Sequence, residues 1–170
     1  MLTTFATFCL ALLRELRGER GRHQAEVAEW LGVTPSAWTK VEMGSSPLKL
    51  SSFVRVCAGF EVHPSVVMAA ADRHVELFRA EGWKVLTAEL AANEDELLQL
   101  ALEYWASAGS RAPKTNYFGS PSVIQGPLRD FKGEILLAPV FRFAIDPSSR
   151  ERLKIPGLGL SFTPQDDKGS

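Results

Sequence analysis

The sequence lacks a hydrophobic run long enough to cross a membrane. Its longest largely apolar stretch, Phe5 to Leu13, has nine residues, whereas a membrane-spanning helix needs about 20. No basic residue precedes this stretch and no small-residue cleavage pattern closes it, so it does not have the pattern of a signal peptide. The sequence therefore predicts a cytoplasmic protein without a membrane segment.

Cysteine is scarce, and neither sign of charge dominates. Cys9 and Cys57 are the two cysteines, and both lie in helix-like stretches, which predicts buried thiols rather than a disulfide. No His or Cys pair stands at ligand spacing, so no metal site and no cofactor is predicted. The chain has 19 basic and 20 acidic residues, for a net charge of −1. A nucleic-acid partner would therefore be held by a small local patch rather than by bulk charge.

The stretch from His23 to Gly44 contains two short helical segments that are separated by Gly32. Thr34 and Pro35 predict the start of the second segment, because threonine can cap a first-turn amide and proline fits the first helical position. Gly44 can end it with a positive φ. Helices this short must pack on others to persist. The break lets the second helix cross the first steeply and present one polar face.

Helical periodicity of about 100° per residue divides the second segment into two faces. The inward positions are Ala37, Trp38, Val41 and Glu42, and the outward positions are Pro35, Ser36, Thr39, Lys40 and Met43. A buried carboxylate is costly unless it is paired. Arg17 borders the apolar stripe of the first helix, so the sequence predicts an ion pair between Arg17 and Glu42.

Residues of about 5–72 resemble the Cro/phage-repressor (XRE-type) helix-turn-helix family. The matching positions are Leu13, Leu16, Arg17, Gly21, Gln24, Val27, Ala28, Leu31, Gly32, Val33, Thr34 to Ser36, Trp38, Val41, Glu42 and Gly44, followed by Leu50 to Met68 as the last two helices. The chain departs from the family pattern at Gly18, Arg22, His23, Trp38 and Glu61, the last replacing a turn glycine. These departures indicate a divergent member.

The resemblance implies a five-helix, lambda-repressor-like domain whose recognition helix enters the major groove of DNA. Lys40 would reach guanine acceptors, and Gln24 would contact a phosphate at a helix start. The predicted DNA-binding residues are Gln24, Thr34, Pro35, Ser36, Thr39, Lys40, Ser45, Ser46 and Lys49. A solvated face is the alternative for Ser36, Thr39 and Lys40. Arg14, Arg20 and Arg22 could likewise form a phosphate-facing edge or an ordinary solvated surface.

The second half shows no family resemblance. Helices are predicted from Pro64 to about Trp83 and from near Asn93 to Gly109. Asn93 and Glu96 resemble a capping box at the start of the second helix. His74 is interpreted as a surface or packing residue. Seven of the ten prolines follow residue 112, which disfavours long helices there. Strands are predicted at Glu134 to Asp146, at Arg152 to Thr163 and at Pro121 to Gly126.

These patterns predict an α+β protein with four parts. Residues 1–72 are expected to form the helix-turn-helix domain, 73–110 a helical connector, 111–163 a small β-rich region for dimerisation or sensing, and 164–170 a disordered tail. Scattered acids and serines show no catalytic spacing, so no catalytic residue is predicted and an enzyme is disfavoured.

Three functions stay open at this point. The first is a dimeric DNA-binding repressor or autoregulator of a bacterial or phage operon, acting on a palindromic operator. The second is an antitoxin-like module that binds a partner protein through its C-terminal region, where a small-molecule effector could also act. The third is an enzyme with a site in the C-terminal sheet.

Overall fold

The computed structural model describes residues 1–111 and 121–154, and within these ranges the fold is α+β. The helices are α1 (Phe5–Glu19), α2 (Gln24–Leu31), α3 (Pro35–Glu42), α4 (Leu50–Gly59), α5 (Pro64–Ala80), α6 (Glu96–Ala106), α7 (Ala108–Arg111), α8 (Pro139–Ile145) and α9 (Pro147–Lys154). The strands are β1 (Leu2–Thr4), β2 (Lys84–Leu86), β3 (Leu128–Arg129) and β4 (Ile135–Leu136). The predicted five-helix N-terminal arrangement is present as α1 to α5.

The strands form two small sheets. β1 pairs with β2 in parallel, with Leu2 opposite Lys84 and Thr4 opposite Leu86. β3 and β4 pair antiparallel in a hairpin. The first sheet joins the two ends of the α1 to α5 unit, because its strands directly precede α1 and follow α5.

Local caps fix where the N-terminal helices begin. The Thr4 hydroxyl accepts the amide of Thr7 at 3.2 Å and starts α1, and His63 Nδ1 accepts the amide of Ser65 at 3.3 Å and caps α5. Glu61 has a φ of 54° in the turn between α4 and α5. This left-handed conformation favours glycine, which explains why the family pattern has one at that position.

One hydrophobic core extends through both halves of the chain. Phe8 of α1 lies 5.0 Å from Phe78 of α5 and 6.0 Å from Phe141 of α8, measured between ring centroids. Cys9 and Cys57 are buried free thiols, as predicted. Burial raises the pKa of Cys9 to about 12 and that of Cys57 to about 11, so both stay protonated.

The N-terminal strand is tied to α6 by a buried carboxylate. Asp95 is 3 % exposed and accepts hydrogen bonds from the hydroxyls of Thr3 and Thr7 and from the amide of Leu98. It therefore caps α6. A helix is present near Asn93 as predicted, but the predicted capping box of Asn93 and Glu96 is wrong. Asp95 supplies the cap, and the Glu96 carboxylate accepts the amide of Leu2.

The strand predicted at Glu134 to Asp146 is wrong. Within this segment only Ile135 and Leu136 form a strand, and Pro139 begins helix α8. Both faces of this segment are buried, because Phe141 packs on Phe8 and His74 while Phe143 packs 5.7 Å from Tyr104. Phe141 and Phe143 alternate with Arg142 and Ala144 as residues of a strand would, but their two rings enter different parts of the same core.

The other two predicted strands also need correction. The segment Pro121 to Gly126 contains a 3-10 turn at Val123–Gln125, because the Glu19 carboxylate accepts the Ser122 hydroxyl at 2.7 Å and the Val123 amide at 2.6 Å. Arg152 lies in α9. The remainder of the strand predicted at 152–163 lies mostly outside the described residues, as does the tail at 164–170.

Helix α5 runs without interruption across the boundary expected at residue 72. Its residue His74 is fully buried and stacks on Phe141 with 4.2 Å between ring centroids, so it is a packing residue. Among the described residues no single helix is long and apolar enough to cross a membrane. Helices α4 and α5 meet that criterion only as a pair, and they are bent by 110° at the break between them.

Candidate nucleic-acid interface

The break between α2 and α3 is built by Gly32, whose φ is 67°. The amides of Gly32 and Val33 close the end of α2 on the carbonyls of Glu29 and Ala28 at 3.0 Å each. A left-handed residue at this position ends a helix without the steric cost of a side chain. The chain can then turn sharply into α3.

Helix α2 starts with a hydrogen bond from the backbone of its cap residue to a side chain of its first turn. The backbone amide of His23 donates to the Glu26 carboxylate at 2.7 Å, and Arg22 forms an ion pair with the same carboxylate at 2.9 Å. These two donors lower the pKa of Glu26. Glu26 is the third residue of the helix, where the acidic residue of a capping box lies. Its hydrogen bond to the His23 amide compensates for the absence of a serine or threonine at the cap position.

Helix α3 begins and ends where the sequence predicts. The Thr34 hydroxyl accepts the amide of Ala37 at 3.2 Å, and Pro35 is in the first turn. Gly44 has a φ of 73°. The amides of Ser45 and Ser46 fold back onto the carbonyl of Lys40, at 2.8 and 3.1 Å, so these serines are held at the C-terminal end of the helix.

The inward face of α3 is held by the predicted pair of Arg17 and Glu42. Glu42 is 0 % exposed. Arg17 donates to both carboxylate oxygens, from Nε at 2.8 Å and from Nη2 at 3.0 Å. The fork of the guanidinium matches the carboxylate, which is the geometry that gives strong, directional pairing.

Two further donors complete the coordination of the Glu42 carboxylate. Trp38 Nε1 donates to one oxygen at 2.9 Å, and Gln24 Nε2 donates to the other at 2.6 Å. Trp38, which replaces a smaller aliphatic residue of the family pattern, is 2 % exposed and its indole N–H is therefore satisfied. The carboxylate joins α1, α2 and α3 at one point.

The Gln24 side chain is engaged inside the protein instead of facing solvent freely. Besides donating to Glu42, its Oε1 accepts the Thr39 hydroxyl at 3.2 Å, and that hydroxyl also lies 2.9 Å from the carbonyl of Pro35. A phosphate contact by the Gln24 amide would require this network to open. The structure therefore gives Gln24 and Thr39 a role in positioning α3.

The remaining predicted contact residues line an open surface. Thr34, Pro35, Ser36 and Lys40 are exposed on the outer side of α3, and Ser45 and Lys49 are exposed in the loop that follows, while Ser46 is half-buried. Lys40 forms no ion pair with any other described residue. The structure thus brings these side chains to one surface, which we call the α3 surface: residues 34–37, 40, 43, 45, 46 and 49.

One member of the α3 surface was not expected there. Ala37 was assigned to the inward face by periodicity, but it is exposed, and this assignment is wrong. The large indole of Trp38 and the Glu42 carboxylate fill the space against α1 and α2, which leaves Ala37 outside. Met43, at the end of the helix, is 49 % exposed.

The three arginines that could have formed a phosphate-facing edge are engaged within the protein. The Arg14 guanidinium stacks over the Trp105 ring at 3.9 Å from its centroid. Arg20 donates to the carbonyl of Phe60. Arg22 pairs with Glu26.

Within the described residues, helix α6 of the C-terminal half packs behind the α3 surface. Leu98 of α6 packs against Gly44, where a Cβ atom would lie only 2.3 Å from Leu98 Cδ2. Trp105 of the same helix donates to Glu15 of α1 at 2.7 Å. Helix α6 therefore contacts both the end of α3 and the helix on which α3 is anchored.

Comparison with known proteins agrees with this geometry. Residues 10–71 match the model of a family described as a helix-turn-helix domain. The match covers α2, α3, α4, most of α1 and the part of α5 from Pro64 to Ala71, and it includes every residue of the α3 surface. No curated protein and no solved structure matches the chain. The N-terminal part is thus a helix-turn-helix domain, the kind of unit that suggests DNA binding.

Proposed function

We propose that the protein is a sequence-specific DNA-binding regulator of the XRE type, a binding protein and not an enzyme, which places α3 in the major groove of double-stranded DNA. The observation that carries this proposal is the contrast between the two faces of α3. One face is fixed by four hydrogen bonds to a fully buried carboxylate, and the other leaves Ser36 and Lys40 exposed. A rigid helix with an open polar face is what base recognition requires.

The number of base-reading groups favours two copies acting together. Lys40 is the strongest single reader on the α3 surface, and a good bidentate base contact is worth only about 1–3 kcal/mol of discrimination. Two copies on a two-fold symmetric site double both base and phosphate contacts. The proposal therefore includes a homodimer on a palindromic operator, acting as a repressor or autoregulator of a bacterial or phage operon.

Contacts with the DNA backbone are assigned to the loop after α3. Ser45 and Ser46 are fixed by hydrogen bonds from their backbone amides to the carbonyl of Lys40, and Lys49 follows at the start of α4. These groups would position the duplex without reading its sequence. With few cations on the α3 surface, the salt dependence of binding should be moderate rather than steep.

The test is a titration of the protein against DNA sites selected from genomic fragments. Lys40→Ala should lower affinity for the selected site at least tenfold, because it removes the main base-directed cation, and should reduce the slope of log K against log salt by about 1 if it also neutralises a phosphate. Lys84→Ala removes an exposed charge on β2 and is the matched control. It should bind like the parent protein.

Equal affinity of the Lys40→Ala variant and the parent for the selected site would contradict the proposed orientation of α3. Thermal unfolding of both variants, followed by circular dichroism, shows whether the fold is intact. Recovery of one palindrome from the fragments would support the dimer, and recovery of asymmetric sites would count against it.

A second candidate is an antitoxin-like role in which the C-terminal region binds a protein partner. Three aromatic residues of this region do not suit such a partner, because Phe141 and Phe143 are fully buried and Trp105 lies beneath Arg14. The observation that favours this role is Phe131, which is 93 % exposed at the tip of the β3–β4 hairpin. The affinity for a partner bound through Phe131 should change little with salt concentration and should be lost in Phe131→Ser, while DNA binding stays unchanged.

A further inference from the structure

Between Pro35 and Met43, three of the five exposed residues of the α3 surface are apolar. The methyl group of Ala37, the ring of Pro35 and the thioether chain of Met43 are exposed there, and Met43 is 49 % exposed. Lys40 and Ser36 are the exposed polar groups of the helix itself. The Thr39 hydroxyl, which the sequence assigned to this face, is engaged with Gln24 and Pro35.

The major groove offers one apolar feature for such groups to contact. Each base pair shows its own pattern of donors and acceptors there, and thymine alone adds a C5 methyl group. A short apolar side chain discriminates thymine from cytosine by contact with that methyl. Methionine suits this role because its flexible, polarizable chain adapts to an uneven surface.

We propose that the α3 surface selects DNA by contact with thymine methyl groups through Ala37 and Met43, on either side of the base contacted by Lys40. This inference rests on the proposed function, which it deepens by naming the sites preferred. Ala37 and Met43 are six residues apart, or about 9 Å along a helix. For a helix lying along the groove this corresponds to roughly three base steps at 3.4 Å per base on one strand.

The experiment removes the methyl groups from the DNA and leaves the hydrogen-bonding pattern intact. The full chain is used to select binders from a random-sequence duplex library of about 30 base pairs. The best duplex is then resynthesised with deoxyuridine in place of thymidine, one position at a time. Loss of one contacted methyl should weaken binding about fourfold, as expected from the transfer free energy of one buried carbon.

Substitutions in the protein assign each methyl to a side chain. In Met43→Ala the ratio of affinities for thymidine and deoxyuridine should fall to about 1 at one position and stay near fourfold at the other. In Ala37→Ser the pattern should be reversed. Val66→Ala is the matched control, because Val66 is an exposed apolar residue of α5, at 42 % exposure, and its ratios should equal those of the parent.

Three results would overturn the inference, and they differ in what they leave standing. A Lys40-dependent site whose affinity is unchanged by deoxyuridine at every position contradicts methyl recognition but leaves the DNA-binding function intact. If the affinity depends on thymine methyl groups but neither Met43→Ala nor Ala37→Ser changes that dependence, Ala37 and Met43 are excluded as the contacting residues. A full chain that retains no duplex from the library at low salt contradicts both proposals.

Discussion

At the scale of single residues, the α3 surface depends on a carboxylate that is completely hidden from solvent. Glu42 accepts four hydrogen bonds from Arg17, Trp38 and Gln24, which lie on three different helices. A buried charge of this kind is tolerated only when its partners satisfy it. The same carboxylate therefore fixes the position of α3 and makes that position sensitive to a single substitution.

Glu42→Ala should lower the free energy of unfolding by about 3–5 kcal/mol, because it leaves the Arg17 cation partly buried without its partner and opens a cavity beside Trp38. Urea denaturation followed by tryptophan fluorescence measures this change. Glu29→Ala removes an exposed carboxylate from α2 and serves as the control, with an expected change within about 0.5 kcal/mol. An unfolding midpoint for Glu42→Ala equal to that of the parent would show that the pair adds nothing.

His74 is the second buried polar residue with an unusual environment. Its Nδ1 donates to the carbonyl of Ala70 at 2.7 Å, and its Nε2 has no hydrogen-bond partner among the described residues. Burial lowers the pKa of His74 from 6.5 to about 4, and the charge of the neighbouring Arg73 contributes in the same direction. The imidazole is therefore neutral in the folded protein at neutral pH.

This depressed pKa predicts a loss of stability in acid. Between pH 6.5 and about 4 the unfolded chain binds a proton at His74 that the folded chain does not, so stability is fully present above pH 6.5 and decreases as the pH falls. The total decrease from this group should be about 3 kcal/mol. In His74→Gln, which cannot titrate, urea denaturation at several pH values should show a shallower decline. Parallel curves for variant and parent would refute the assignment.

The residue scale also shows what the sequence can and cannot predict. The Arg17–Glu42 pair was predictable because an inward carboxylate demands a cation, and Arg17 was the one at the edge of the adjacent apolar stripe. The exposure of Ala37 was not predictable from periodicity, since it depends on how much volume Trp38 occupies. The engagement of Gln24 was also missed, because only the folded geometry brings it within reach of Glu42.

At the scale of elements, α3 is connected to α6 through a contact that periodicity does not reveal. Gly44 ends α3 in a left-handed conformation and simultaneously allows Leu98 to approach its backbone. The helices that match the family pattern were predicted with nearly correct ends, since caps such as Thr34 and breaks such as Gly32 act locally. Helix α8 was mistaken for a strand because both of its sides are buried. A helix buried on both sides has apolar residues all around it, so its sequence lacks the hydrophobic period of about 3.6 residues.

Gly44→Ala should destabilise the protein by about 1–3 kcal/mol, from strain at its positive φ combined with the clash against Leu98. Gly21→Ala is a matched control, because Gly21 also has a positive φ, of 61°, but a Cβ atom there meets nothing within 4 Å. It should show the strain alone. The double variant Gly44→Ala/Leu98→Ala measures whether relief of the clash restores part of the difference, and equal losses for Gly44→Ala and Gly21→Ala would exclude an effect of the α6 contact.

At the scale of the whole molecule, the helix-turn-helix unit and the C-terminal half share one interior. Phe8 and Phe78 belong to the first 80 residues, yet both lie against Phe141. Glu19 at the end of α1 holds the Val123–Gln125 turn, and Asp95 binds the N-terminal strand. Contacts between parts so distant in sequence could not be inferred from local patterns. The boundary expected at residue 72 lies inside α5.

This shared interior predicts that residues 1–72 alone are much less stable than the intact chain. Truncation there cuts α5 before His74 and Phe78 and exposes the side of Phe8 that Phe141 covers. Each large core side chain that loses its burial costs about 1.5–3 kcal/mol, which is comparable with the whole stability of a small domain. Circular dichroism should show one cooperative transition for the intact chain and a transition at least 15 °C lower, or none, for the fragment, on the usual scale of about 4–8 °C per kcal/mol. An equal melting temperature for both would mean that the helix-turn-helix unit folds independently and that its contacts with α6 and α8 do not stabilise it.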